Sequence, residues 1–547
     1  MAWPPVLVRH SRKLLATNWG VFPSCGTKLG CSRSGPESAF QPANLVFDFG
    51  VCPIWVPHLV LRLEPQIWYA MKTVTRLAFC AATLVATAAY AGSFNLNYFA
   101  ELEGTFTSST TPAPGRVAVS FDLSGSQFTD LGIAAFSDPN DGKITAVARV
   151  DISNADTNLV GIALSRNLYT GAADISFGGG DGKVDFQALN ITDVIDACQD
   201  TQGRFVVAAS APGASGSGGP KDMALVRFTA AGDLDLTYSS DGKAVFSLVD
   251  GGGERDEAIN DLECLPGGDY FIGGWAKSGT GVKEPAFAQM PATSNHDTSV
   301  AQSVLGIASG ESDGQVTAVY FNQPANAYVI AQTLLGDTLP SRTVVQHYAL
   351  RDGIAFDLYP QIPNINVGID HCPTLAIPSI IGITAITGTD YAASLLYTSS
   401  GQRHAAVARI NIGESVLVSC TPMQFSLTNA GITPPLVYGG YVFIALGFAP
   451  LNGTATPSQM RAFSPSANGL SLLTESNFGT NGVASWSHTF SSSNPNNNRS
   501  FVQRLYVDPA GLIMAVGSRV WNGNDTDVVL TRLGSSGVFR NGFENPE

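Results

Sequence analysis

The chain has 547 residues, of which 44% are hydrophobic and only 14% charged, with 57 glycines and 31 prolines. That density of glycine and proline excludes a helical bundle or coiled coil, and the low charge content excludes disorder through self-repulsion. A formal net charge of −14 argues against nucleic acid as partner, because phosphate neutralisation needs clustered Lys and Arg.

Residues 1–70 hold four of the seven Trp and three of the eight Cys, show no periodicity, and carry a net charge of +3. They read as upstream sequence outside the folded protein, with translation starting at Met71; the alternative is an unusual N-terminal extension. Residues 71–91, MKTVTRLAFCAATLVATAAYA, have the build of a secretory signal peptide. Lys72 and Arg76 form the basic region, Leu77 to Ala88 the apolar stretch, and Ala89-Tyr90-Ala91 a small-x-small cleavage site. The apolar stretch is too short to span a bilayer and no stop-transfer segment follows, so the mature chain is expected to be secreted or periplasmic, without a membrane span. From Gly92 to Glu547 there are 22 basic and 41 acidic residues, a net charge of −19. Such a surface avoids anionic membranes and nucleic acid.

Along 92–547 the sequence repeats itself. GAADISFGGGDGKVDF begins at Gly171 and GDLDLTYSSDGKAVF at Gly232. Each has an Asp three residues on, an aromatic six residues on and a DGK turn, so that Phe177 and Tyr238 stand 61 residues apart. Phe478 lies 301 residues after Phe177, close to five such periods. Worn copies stand at Gly92–Tyr98 and Gly537–Phe543. A second signature, a glycine or proline turn leading into a short apolar strand, occurs seven times. Its copies begin at Asp141, Gln202, Pro266, Pro324, Gly388, Gly439 and Pro509. Runs such as Phe205-Val206-Val207 and Tyr328-Val329-Ile330 are β-branched and aromatic, as strands require. No helical periodicity persists for three turns. Short strands in units of about sixty residues must stack to bury both faces, and radial stacking leaves only short edges. The expected fold is therefore all-β: one β-propeller domain over 92–547, with seven blades of about four antiparallel strands.

The stretches Gly171 to Val184, Gln202 to Ala208, Ala224-Leu225-Val226-Arg227-Phe228 and Asp527 to Leu533 resemble the bacterial delta-60 repeat. The resemblance is good over about 140–275 and 475–535 and faint between. It implies a propeller-like repeat protein of the cell envelope or exterior, and it carries no common catalytic activity.

Four cysteines follow the signal segment: Cys198, Cys264, Cys372 and Cys420. An even number in an exported chain suggests two structural disulfides with three connectivities. Cys198 and Cys264 sit at nearly equivalent places in adjacent repeats, which favours Cys198–Cys264 with Cys372–Cys420. Zinc needs close CxxC-type pairs or His clusters, and there are none in the sequence.

Other chemistry is sparse. GASGSGG at Gly213 lacks the spacing of a nucleophile elbow, and Lys183 is followed by Val184 where a phosphate-binding loop needs Ser or Thr. His296, His347, His371, His404 and His488 form no metal spacing and read as surface or loop residues, the alternative being convergence in a central channel. Asp181–Asp185 and Glu311–Gly314 each offer two carboxylates, short of the oxygen set calcium needs, so no cofactor is expected, calcium being the alternative that a net charge of −19 leaves open. Asp174 and Asp235 read as turn caps. Two functions stand side by side. The first is a monomeric, non-catalytic propeller that binds a protein or glycan through loops such as Ala211–Lys221 and Ser491–Asn498. The second is a propeller hydrolase or lyase whose residues converge in the channel.

Overall fold

The computed structural model describes residues between Gly115 and Gly534, apart from a set of connecting segments. They belong to the compact unit Asn95–Glu547. The upstream extension, the signal segment, the worn repeats at both ends, Cys372, Ser491–Asn498, His296, His371 and His488 lie outside the described residues.

Every described regular element is a β-strand, and all strand pairs within the sheets are antiparallel. Seven four-stranded blades follow one another in a ring. Blade 1 is built from Asp130–Ser137, Ile144–Asp151, Val160–Asn167 and Lys183–Ile191. Blade 2 has Asp193–Gln199, Phe205–Pro212, Lys221–Phe228 and Lys243–Phe246, and blade 3 has Glu257–Cys264, Tyr270–Lys277, Lys283–Met290 and Ala301–Val304. Blade 4 has Glu311–Asn322, Ala327–Gly336, Arg342–Arg351 and Ala355–Leu358, with Ile365–Val367 added on its third strand. Blade 5 has Ser379–Thr387, Asp390–Ser399, Gln402–Asn411 and Val416–Leu427. Blade 6 is centred on Tyr441–Phe448 and Ser458–Ser466, and its first and fourth positions are each split into two short strands. Blade 7 has Ser500–Val507, Ile513–Asn522 and Asp525–Leu533.

The fourth strand of blade 7 comes from the other end of the chain. Arg116–Val119 pairs antiparallel with Asp525–Leu533, Arg116 opposite Thr531 and Val119 opposite Val528. The ring is thus closed by hydrogen bonds between its two ends, and no blade is left with three strands.

The seven glycine or proline turns singled out in the sequence each join the first strand of a blade to its second. The turn geometry explains why they recur. Gly142, Gly203, Gly268, Gly440 and Gly511 all have positive φ, a conformation that costs a side-chain-bearing residue free energy. Second strands are largely apolar and buried on both faces; seven of the eight residues of Phe205–Pro212 are buried. Each blade is covered on both faces by its neighbours, so the usual alternation of apolar and polar residues is lost.

The core accordingly lies between blades. One cluster joins Val147, Ile162 and Leu164 of blade 1 to Val194, Val207 and Val226 of blade 2. The next joins Val206 and Leu225 to Ile259, Tyr270 and Ile272 of blade 3. Val117 and Val119 of the closing strand pack with Met514 and Val528 against Ile144 and Ala146 of blade 1.

The repeat signature has a structural meaning in blades 1 and 2. Asp174 Oδ1 accepts the Ser176 N–H at 3.1 Å, while its Oδ2 accepts Arg166 Nε at 2.8 Å. The Arg166 guanidinium lies 4.4 Å from the centre of the Phe177 ring. Asp235, Thr237, Arg227 and Tyr238 repeat the arrangement, with Arg227 Nε 2.7 Å from Asp235 Oδ2 and the guanidinium 4.5 Å from the ring. The aspartate therefore caps a turn and also anchors an arginine that covers the conserved-spacing aromatic. The DGK turns contribute a second tie. Lys183 Nζ donates to Ser120 O at 2.6 Å and Lys243 Nζ to Leu189 O at 2.7 Å, each reaching the preceding blade's rim.

Cys198 and Cys264 are joined by a disulfide with Cα atoms 5.6 Å apart, linking the first strands of blades 2 and 3. Cys420 is disulfide-bonded as well.

Candidate functional site

First strands meet in cyclic order around the axis, so their inward positions face a shared channel. In six of the seven blades the first strand carries a β-bulge near its middle, for example between Val194 and Asp196 and between Ile259 and Asp261. A bulge leaves an N–H outside the ladder and bends the strand, which suits a tight inner ring. The residues that resume pairing after these bulges are Ala134, Asp196, Asp261, Ala318, Gly382 and Arg504. Three equivalent positions are thus charged, and Glu263 follows two residues after Asp261.

These charges converge. Arg504 of blade 7 passes blade 1 and reaches blade 2, placing Nη1 2.6 Å from Asp196 Oδ1 and 3.0 Å from Ala197 O. Asp196 Oδ2 accepts the Leu262 N–H of blade 3 at 3.2 Å. Asp261 Oδ2 accepts the Val319 N–H of blade 4 at 2.8 Å, and Glu263 accepts the Phe321 N–H. Each carboxylate hence takes up a backbone donor on the next blade's first strand, beside the bulge. Asn260, at the bulge itself, adds a bond from Nδ2 to Val316 O at 2.7 Å.

Arg504 keeps 28% of its side-chain surface accessible although it is surrounded by first strands. Burial and the neighbouring Asp196 push the Asp261 carboxyl well above its usual range. Burial likewise raises Glu263 to about 8, against the opposing pull of the Phe321 N–H and Arg504. Asp196 above all raises Arg504 against the opposing effect of burial, so the guanidinium stays charged. Tyr320 is raised by burial and by Glu263. At neutral pH the Arg504–Asp196 ion pair is flanked by Glu263, a carboxylic acid that largely keeps its proton, and by Asp261, whose carboxyl is raised in the same direction. Chemically the cluster can tie four blades together across the axis, and it can hold or release a proton near pH 8.

Sequence reasoning did not single out Asp196, Asp261, Glu263 or Arg504. A signal was present: Asp196, Asp261 and Arg504 each stand seven residues before the positive-φ glycine of their turn, Gly203, Gly268 and Gly511. Of the five histidines from Gly92 onward, His347 and His404 are described, and neither belongs to the cluster. Instead of a loop, His347 occupies the third strand of blade 4, buried edge-on against Tyr391 at 5.5 Å, and burial lowers its pKa to about 4. His404 stacks on Tyr397 at 5.1 Å. Asp181 Oδ1 accepts the Lys183 N–H at 3.0 Å, and Asp185 accepts Gln187 Nε2 at 2.8 Å, so both take part in local hydrogen bonds.

The architecture defines a seven-bladed β-propeller. No protein-family model matches the chain. No curated protein matches it. Among solved structures it is similar to the β-propeller domain of Vanderwaltozyma polyspora Nup133, with 8% identity over 75% of this chain and 99% of that one and a TM-score of 0.40. It is also similar to the polysaccharide lyase Uly1, at 11% identity, 79% and 97% coverage and a TM-score of 0.41. A third is the β-propeller domain of the Trilobed protease from Pyrococcus furiosus, at 8% identity, 71% and 89% coverage and 0.33. At such identities the likeness concerns the fold alone.

Proposed function

We propose that this is an exported, monomeric binding propeller of the delta-60 repeat type, secreted or periplasmic, that holds a protein or glycan ligand on its blade faces without transforming it. The observation that carries this reading is the internal use of the axial cluster. Asp196, Asp261 and Glu263 each accept a backbone N–H from the next blade, and Arg504 spans the channel to Asp196. Polar groups engaged in this way are taken up in holding the first strands of neighbouring blades together, which favours the faces as the place for ligands. Export is supported by the signal-like residues 71–91 and by cysteines in disulfides, which persist in oxidising compartments. The test is saturable binding by the purified protein on glycan arrays and to fractionated envelope proteins. Silence in both would remove the reading.

One observation favours a second reading. Glu263, raised to about 8, lies on the axial first strands beside Arg504 and Tyr320, where a proton-transfer group of a hydrolase or lyase would be placed. Activity screening on esters, lactones and polysaccharides decides between them. Turnover that Glu263→Gln abolishes while the fold survives would replace the binding reading with the catalytic one.

A further inference from the structure

The seam between blades 3 and 4 opens at one end of the ring into a cleft of about 330 Å³. That lies at the small end of ligand pockets, which run from about 300 to 1,000 Å³. Two hairpin turns frame it, Leu265–Asp269 of blade 3 and Gln323–Asn326 of blade 4, each joining a first strand to a second. Its floor is organised across the seam. The Tyr328 hydroxyl donates to Gln289 Oε1 at 2.7 Å, and Gln289 Nε2 donates to Asp269 Oδ2 at 2.6 Å. Asp269 Oδ1 accepts the Ala292 N–H at 3.0 Å, which fixes the carboxylate. Tyr328 and Gln289 are buried, and Phe321, half-buried, packs its ring 4.9 Å from that of Tyr328. Above them Gln323 and Asn326 present exposed amides.

We infer that this cleft binds a neutral saccharide, one or two pyranose rings at the end or in the middle of a glycan. The inference rests on the binding reading above and names its ligand class. An aromatic ring beside a fixed carboxylate and several amides suits a molecule with an apolar C–H face and hydroxyls around its rim. Phe321 meets the C–H face. Asp269 accepts from hydroxyls through its remaining lone pairs, and the amides of Gln323 and Asn326 both donate and accept. The fixed Tyr328–Gln289–Asp269 relay means that little side-chain ordering accompanies binding. Neutrality follows from charge. No lysine or arginine is among the residues lining the cleft, Asp269 contributes a carboxylate, and the chain from Gly92 onward carries −19. A uronate or sialate would meet repulsion without a compensating cation.

Gly267 gives a clean obstruction. It lines the cleft, and a Cβ placed there meets no atom within 4 Å. Gly267→Tyr therefore adds a bulky ring at the edge of the cleft without backbone strain. Asn326 has a φ of 48°, so Asn326→Gly removes an amide while easing the turn. The experiment applies the purified full protein and both variants to an array of neutral hexose and N-acetylhexosamine oligosaccharides, with uronate- and sialate-bearing ones alongside, and follows hits by calorimetry; melting curves confirm that the variants fold. The expected result is saturable binding of a neutral oligosaccharide by the parent, weakened at least tenfold by Gly267→Tyr and severalfold by Asn326→Gly. Glycan binding that survives Gly267→Tyr, binding confined to acidic glycans, or binding of envelope protein alone would overturn the cleft assignment and leave the binding propeller standing. Absence of any ligand would overturn both.

Discussion

Glu263→Gln is the most informative single change at the axis. Glutamine keeps the shape and can still accept the Phe321 N–H, so what the substitution removes is the titration. In the folded protein Glu263 is raised by burial to about 8 from an ordinary 4.5. Between those values the native state holds a proton that the unfolded chain has released, so stability falls as pH rises from about 5 to 8, and the loss due to Glu263 is complete above the folded pKa. The shift corresponds to a ceiling of about 5 kcal/mol at about 1.4 kcal/mol per unit. Glu263 is only half-buried, and solvent screening brings the expected effect to about 1–2 kcal/mol. Asp261 is raised in the same direction, so a residual slope remains in the variant, while Asp196, Arg504 and Tyr320 surround both proteins alike. Urea unfolding with disulfides intact, at pH 5 and pH 8.5, measures the difference. The variant should match the parent at pH 5 and exceed it at pH 8.5. Equal losses for both proteins between the two pH values would refute the account of Glu263 as a carboxylic acid kept protonated by its surroundings.

Four further outcomes are expected. Replacing Cys198 and Cys264 with serine opens a cross-link spanning 66 residues, and loop-closure entropy puts the cost near 4 kcal/mol, read as a lowered unfolding midpoint under non-reducing conditions. Arg227 is only 2% exposed and also donates to Ala292 O at 2.6 Å, so Arg227→Ala strands Asp235 and should cost about 3–5 kcal/mol by the same measurement. His347 is buried with neither ring nitrogen hydrogen-bonded among the described residues, and its folded pKa of about 4 lies below the ordinary 6.5. Its contribution is lost as pH falls through that window, so His347→Phe should raise the melting temperature and flatten the decline between pH 6.5 and 4. Val117 is 1% exposed in the closing strand, and Val117→Asp should cost about 3 kcal/mol or more and free the ends of the ring, visible as faster proteolysis of blade 7.

How much was legible in the amino-acid order depended on the range of the physics involved. Turns such as Gln202–Arg204 and Pro266–Asp269 announce themselves because positive φ at Gly203 and Gly268 is a demand of the local backbone. The Asp174–Phe177 and Asp235–Tyr238 spacings were equally visible, since an aspartate capping its own turn involves neighbours in the chain. Repeats become faint in the middle because blade 4 gains a fifth strand and blade 6 splits its first and fourth, so the spacing of equivalent residues drifts.

The axial cluster belongs to another category. Asp196 and Asp261 lie inside ordinary first strands, and only the bulges before them and the register that follows turn them inward. Arg504 meets Asp196 across 308 residues of sequence, a distance that ring closure alone makes short. The cleft between blades 3 and 4 joins Gln289 to Tyr328 in the same way, through the packing of one blade on the next. Sequence by itself determined the strand character, the turns, the repeat and hence the number of blades, because each is enforced within a few residues. Tertiary structure decided which charges face the axis, that Arg116–Val119 completes blade 7, and where a ligand-sized opening lies. Those depend on register and closure, which are set by contacts between segments the chain order holds far apart.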